Sequence, residues 1–169
     1  MMGMFKTALY AHLDAAASPA DLLTRVNSTL LPLRRPNMFV TAACLHRSSA
    51  TTMEITLAGH PPLLHLAKAT GKAHWVGQPQ LAIGLTDDVE FRTETITVAP
   101  GDLLVVITDG LLEVFDRQDR ELGADGLLRV VQQVPQSAAL AHFDARIFDT
   151  CRAHGPQLDD QTLLLIRVL

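Results

Sequence analysis

Gly101-Asp102-Leu103-Leu104-Val105-Val106-Ile107-Thr108-Asp109-Gly110-Leu111-Leu112-Glu113 is the stretch that decides the fold. Pro100-Gly101 turns the chain tightly into residues 102–108, which read as a strand. Leu103, Val105 and Ile107 point one way, and Leu104 and Val106 the other. A strand with no wet face must be covered on both sides. The last stretch, Gln161 to Leu169, has the same character, broken only by Arg167. Each strand carries acid at one end: Asp109 follows the first, and Asp159-Asp160 precede the second. If the two are antiparallel neighbours, these carboxylates meet at one rim. An acid at the end of a buried strand is costly unless something positive pairs with it. With no Lys or Arg near in sequence, a hard oxygen-seeking cation, Mg²⁺ or Mn²⁺, suits the pair. Gly110 lets the backbone turn sharply away. The competing reading is local: Asp109 caps a helix from Leu111, and Asp159 or Asp160 closes a loop turn.

Outward from this pair, the first third of the chain reads as two antiparallel helices. Met4, Phe5, Ala8, Leu9 and Leu13 recur at helical spacing. Ser18-Pro19 then supplies an N-cap and a first-turn proline before the stripe Leu22, Leu23, Val26 and Leu30, with Pro32 and Pro36 ending the helix. Strand-like runs follow. Met38–Leu45 and Thr51–Leu57 make a hairpin around Ser48-Ser49-Ala50, and Leu63–Leu66 and Lys72–Val76 make a second around Thr70-Gly71. In Val89–Val98 the alternation puts Val89, Phe91, Thr93, Thr95 and Thr97 on one face, opposite Glu90, Arg92 and Glu94. Helices return at about 111–115, 124–134 and 137–153, the last with Leu140, Phe143, Ile147, Phe148 and Cys151 in one stripe. Helices, antiparallel strands, helices and a final strand mean α+β. The economical arrangement is a four-layer α/β/β/α sandwich of two mainly antiparallel sheets.

The segment 101–113 resembles the strand-turn motif of the SpoIIE-type branch of the metal-dependent (PPM) serine/threonine phosphatases. Asp159-Asp160-Gln161-Thr162 with the apolar run after it resembles that family's closing motif. Asn27, Phe39-Val40-Thr41, Ala58-Gly59-His60-Pro61-Pro62-Leu63 and Ile83-Gly84-Leu85 fall between in the family's order. The resemblance covers residues 2–169 and implies two Mn²⁺ or Mg²⁺ ions and hydrolysis of phosphoserine or phosphothreonine by a metal-activated water. It implies metal ligation by Asp109 and Asp159, with Asp160 and Gly110 in support. The expected partner is a phosphorylated STAS-type anti-sigma-factor antagonist. The family's first strands, with a Gly-Asp that bridges both metals, have no counterpart ahead of Met2, and Asp14 is too far along the helix to replace that acid. The expectation is therefore a single domain, 1–169, truncated at its N-terminus, that binds one ion weakly and turns over slowly. An open sheet edge is expected to favour a homodimer.

The chain has 169 residues, enough for one domain with a sizeable core. Net charge is −4, and its distribution is uneven: residues 86–126 hold 11 acidic and 3 basic side chains. That argues against nucleic acid and against a metal nuclease. No apolar run is long enough to span a membrane and no signal peptide is visible, so a cytoplasmic location is expected. Cys44 and Cys151 stand far apart and read as two buried thiols. His60 and His65, an odd spacing apart, are not expected to share a metal. His60 reads as a hydrogen-bonded turn residue, and Arg34-Arg35 as a solvated pair. A catalytically silent domain that binds a partner in the same signalling system is the alternative to the enzyme.

Overall fold

The computed structural model describes residues 2–35 and 37–169; Pro36, expected to help end the second helix, lies outside them. The helices are α1 (Met2–His12), α2 (Pro19–Leu30), α3 (Gly123–Gln133) and α4 (Leu140–His154). The strands are β1 (Ala42–Arg47), β2 (Thr52–Ala58), β3 (Leu63–Leu66), β4 (Ala73–Val76), β5 (Glu94–Thr97), β6 (Leu103–Ile107) and β7 (Leu163–Arg167). They form two antiparallel sheets, ordered β1-β2-β5 and β4-β3-β6-β7. The fold is α+β. The chain divides into two compact units, Met1–Pro62 with Gly77–Thr97, and Leu63–Val76 with Val98–Leu169.

In the first unit, the Ser18 hydroxyl accepts the Asp21 N–H at 3.1 Å and Pro19 takes the first turn of α2. Leu22, Leu23, Val26 and Leu30 are buried in one cluster with Ala8, Val40, Ala58, Ile83 and Phe91. Each such leucine contributes about 1.5–3 kcal/mol by leaving water. The stripe expected on α1 is realised in part: Ala8 is buried and Phe5 and Leu9 pack half-buried against this cluster, whereas Met4 is exposed and Leu13 lies past the helix end. The first hairpin forms, but β1 starts at Ala42; before it, Val40 makes only an isolated bridge to Ile83.

The expected strand 89–98 is cut to Glu94–Thr97, and its faces are reversed. Thr95 and Thr97 are exposed, while Ile96 and Glu94 are half-buried. Residues before it are held another way. Gln80 donates its amide N–H to Arg92 O at 2.9 Å and accepts Arg92 N–H at 2.6 Å, so a side chain replaces a partner strand. The Glu94 carboxylate accepts Gly77 N–H at 3.0 Å, which turns that acid inward.

In the second unit, β6 is central and buried, and Leu103, Val105 and Ile107 join Phe143, Ile147 and Cys151 of α4 and Leu127, Val130 and Val131 of α3 in one core. The expected cover on both faces of the last strand is not found. β7 is an edge strand, and Leu164 is 54% exposed. A helix over 111–115 is not found either: the chain makes a 3-10 turn, Asp109–Leu111, and Phe115 then bridges to Glu121. Residues 137–139 precede α4. Among the described residues, no helix is long and apolar enough to cross a membrane.

Candidate metal site

β6 and β7 pair in the register Leu103↔Arg167 to Ile107↔Leu163, which brings the two acidic ends to one rim of the second unit. Pairing continues one step past the ladder. Thr108 N–H donates to Thr162 O at 3.1 Å, and Thr162 N–H donates to Thr108 Oγ1 at 2.9 Å. The Thr108 hydroxyl in turn donates to Asp160 O at 3.0 Å, and the Gln161 amide donates to Gly110 O at 2.9 Å. Gly110 lies against the same loop: a Cβ there would sit 2.5 Å from Asp160 O and 3.4 Å from the Asp159 carbonyl carbon. The Asp109 turn and the Asp159–Asp160 loop are thus in backbone contact.

Asp109 opens the 3-10 turn with its carbonyl, which accepts Leu112 N–H at 2.7 Å and Glu113 N–H at 2.8 Å. Its Oδ1 accepts Gly110 N–H at 3.0 Å, and Asp159 Oδ1 accepts Asp160 N–H at 2.6 Å. Asp160 enters through its backbone carbonyl. The desolvation expected for these acids is not found: Asp109, Asp159 and Asp160 are exposed. The strand ends at the rim, where β7 is an edge, so water reaches all three. None of them joins an ion pair among the described residues. Gln157, Leu158, Asp159 and Asp160 line an open depression of about 330 Å³.

The donor chemistry fits a hard divalent ion. Mg²⁺ is commonly bound through one or two carboxylates and keeps several waters, and exposed acids without a cationic partner leave oxygens free for that role. Ligand number is the shortfall. Among the described residues, no group of three or more His, Cys, Asp or Glu side chains is placed to hold a metal. Asp109 and Asp159 offer two carboxylates at this rim, fewer than a dedicated all-protein metal cage supplies.

The remaining candidates fall elsewhere. His60 Nδ1 lies 2.8 Å from Pro61 O, in a stretch without regular structure that follows the bend at Gly59. Cys44 is half-buried rather than buried, Cys151 is buried, both are free thiols, and burial pushes both thiols up. Arg34 is only partly solvated: its Nε is enclosed and makes no hydrogen bond among the described residues.

Two polar clusters make bonds that the sequence reading did not anticipate. His65 Nε2 donates to Asp102 Oδ2 at 2.9 Å, both side chains 5% exposed. Asp102 also accepts Lys68 N–H at 2.9 Å and Ala99 N–H at 3.0 Å. Burial opposes its charge, but these donors and His65 together hold the carboxyl below the usual range. A polar residue opening a buried strand, just after a Pro-Gly turn, was the signal available. The second cluster is Asn27, buried on α2. It donates to Thr86 O at 2.9 Å and accepts Gly84 N–H at 2.7 Å, tying the 84–86 turn to the helix. An amide inside the apolar stripe Leu22–Leu30 was its signal.

The family model for stage II sporulation protein E (SpoIIE) matches residues 1–169. Solved structures share the fold. The SiaA-PP2C domain of Pseudomonas aeruginosa superposes with a TM-score of 0.81 at 17% identity, covering 98% of this chain and 67% of that one. The Mn-presoaked phosphatase domain of SpoIIE from Bacillus subtilis gives 0.65 at 18% identity, covering 95% and 70%. The RsbU and RsbW domains of a Mycobacterium tuberculosis protein give 0.70 at 22% identity, covering 98% of this chain and 46% of that one. No curated protein matches the chain in sequence.

Proposed function

This chain belongs to the SpoIIE family of protein phosphatases, and from that premise we propose that it removes phosphate from phosphoserine or phosphothreonine on a regulatory protein, with Asp109 and Asp159 as its ligands for Mn²⁺ or Mg²⁺. The observation that carries this reading is the stitching of the Asp109 turn to the Asp159–Asp160 loop across the β6/β7 rim. A divalent ion bound there would supply Lewis acidity and lower the pKa of a bound water. The chain's own part is to present two carboxylates from loops that cannot drift apart, with Gly110 admitting the close approach and Asp160 contributing backbone. Two ligand side chains hold an ion weakly, so affinity and turnover are expected to be low.

The substrate we propose is a STAS-type anti-sigma-factor antagonist, in a cytoplasmic signalling pathway. The family membership and the RsbU–RsbW neighbour support it. The chain passes between its two compact units at residues 62–63, 76–77 and 97–98, so neither is a continuous segment. This supports 1–169 as one domain. The unpaired side of β7, with Leu164 exposed beside it, supports self-association through that edge.

The test is Mn²⁺ calorimetry beside phosphate release from a phosphoserine peptide, on the 169-residue chain and on Asp109→Ala and Asp159→Ala. One weak site, lost in either variant together with the slow metal-dependent release, is the expected result. Release that survives both substitutions refutes the assignment. Peptide binding without any release identifies the catalytically silent binding domain instead.

A further inference from the structure

We infer that Thr108 and Gln161 are positioning residues that tie the Asp109 turn to the Asp159–Asp160 loop and so fix the two acids relative to each other for a divalent cation; this rests on the metal reading above. Antiparallel strands are tied by their ladder only while paired, and the β6/β7 ladder ends at Ile107↔Leu163. The acids lie beyond that point, where two loops would ordinarily be free to splay. One backbone bond, from Thr108 N–H to Thr162 O, and two side chains, one from each loop, prevent it.

The Thr108 hydroxyl is satisfied in both directions. It accepts from Thr162 N at 2.9 Å and donates to Asp160 O at 3.0 Å, so its proton has one orientation and its oxygen bridges two points of the opposite loop. Gln161 reaches the other way and donates to Gly110 O at 2.9 Å, the carbonyl next to Asp109. The two bonds reach residues 108 and 110, which flank Asp109, and residues 160 and 161, both just after Asp159. Shifting one acid relative to the other therefore breaks at least one of them.

Neither side chain is needed to fill a core. Thr108 and Gln161 are half-buried, and neither belongs to the apolar cluster of its unit. Their bonds link two exposed loops. Serving fold stability alone, they would leave metal affinity in proportion to folded protein. Partners that orient metal ligands instead change affinity by about 10–100-fold when removed.

The experiment uses the full chain, with Mn²⁺ affinity read from the electron paramagnetic resonance of free Mn²⁺ and no substrate present. Thr108→Val keeps the shape and the branching at Cβ but deletes the hydroxyl; Thr108→Ser keeps the hydroxyl; Gln161→Met keeps the length but deletes the amide. The expected result is about tenfold weaker Mn²⁺ binding in Thr108→Val and in Gln161→Met, with Thr108→Ser close to the parent. Loss of these bonds should lower thermal midpoints in EDTA by only about 2–8 °C, leaving the chain folded where affinity is read, so a purely structural role would not weaken Mn²⁺ binding. Unchanged affinity in both deletion variants, or loss in Thr108→Ser equal to that in Thr108→Val, overturns the inference and leaves the metal reading standing. If Thr108→Val does not fold, Gln161→Met decides it. No Mn²⁺ binding by the parent chain overturns the metal reading, and the inference with it. Hydrogen exchange at the Thr162 amide reads the clamp independently of metal. Slow exchange in the parent and fast exchange in Thr108→Val support it, and fast exchange in both overturns it.

Discussion

Gly110→Ala isolates the contact between the two acidic loops, because the glycine is there for space and not for an unusual backbone angle. No positive φ occurs at Gly110, unlike six other glycines of the chain. A Cβ would meet Asp160 O at 2.5 Å and the Asp160 carbonyl carbon at 3.1 Å, both backbone atoms that no side-chain rotation can remove. Bringing the 2.5 Å contact out to an ordinary 3.4 Å moves the loop by about 0.9 Å. A shift of that size takes the 3.0 Å Thr108–Asp160 bond beyond hydrogen-bond range and strains the 2.9 Å Gln161–Gly110 bond. One or two bonds at about 1 kcal/mol each, with some overpacking, put the stability loss at about 2 kcal/mol. For a chain of this size that is a fall in Tm of about 4–8 °C. The effect on turnover should be larger, since misplacing a reacting group by about 1 Å can cost about 100-fold. Urea unfolding gives the first number and Mn²⁺-dependent phosphate release the second. Gly3→Ala serves as a control: nothing lies within 4 Å of its added methyl, and in the first turn of α1 it should leave stability within about 0.5 kcal/mol of the parent. Gly110→Ala with unchanged Tm and unchanged Mn²⁺ affinity would refute the close-contact argument.

Asn27→Ala deletes a buried amide that serves both a carbonyl and an N–H, so a loss of about 2–3 kcal/mol is expected by urea unfolding. A loss under about 0.5 kcal/mol would mean water replaces it fully. The Asp102 carboxyl is held low in the folded chain, so its contribution is present above the unfolded value near pH 4 and is lost as pH falls through the lower folded value. Asp102→Asn should therefore flatten the acid limb of the stability–pH curve below about pH 4, and an unaltered limb would assign it to other groups. Leu164→Lys, on the exposed face of an edge strand, should leave Tm within about 1–2 °C and reduce any self-association seen by sedimentation velocity. Equal association in both proteins would place the contact elsewhere.

Legibility in the sequence followed the kind of force involved. β6 was readable because five consecutive apolar residues leave a strand no other place than a sheet interior, and α2 because Ser18-Pro19 starts it and Leu22–Leu30 gives it one face. The antiparallel pairing of β6 with β7 entered as a condition for their acidic ends to meet, and the register supplies it. What failed depended on partners distant in sequence. The alternation in 89–98 looked like a long strand, yet Gln80 occupies the place of a neighbour and Glu94 is drawn in by Gly77. Burial of β7 was overstated because an apolar run does not say whether each face is covered along its whole length, and Leu164 stays exposed. Asp102 and His65, separated by 37 positions, gave no local sign of their pairing. At the rim, the residue types were legible, whereas the bonds of Thr108 and Gln161 that join the two loops were not.

The position of the β3–β4 hairpin in the chain has a consequence for how the protein is made. Leu63, Leu64 and Leu66 are no more than 2% exposed once folded, yet their strand partner β6 begins 27 residues beyond Val76, counting from 76 to 103. At about 5–20 residues per second, the ribosome delivers Leu103 roughly 1–5 s after the hairpin has been synthesised. During that interval a short two-stranded ribbon carries three leucines with nothing to cover them, and such a ribbon alone is at best marginally stable. The exposed interval opens with Val76 and closes only after β6 has paired and α3 and α4, which share a core with Leu64 and Leu66, have followed; over it the nascent chain is prone to aggregation and in need of a chaperone.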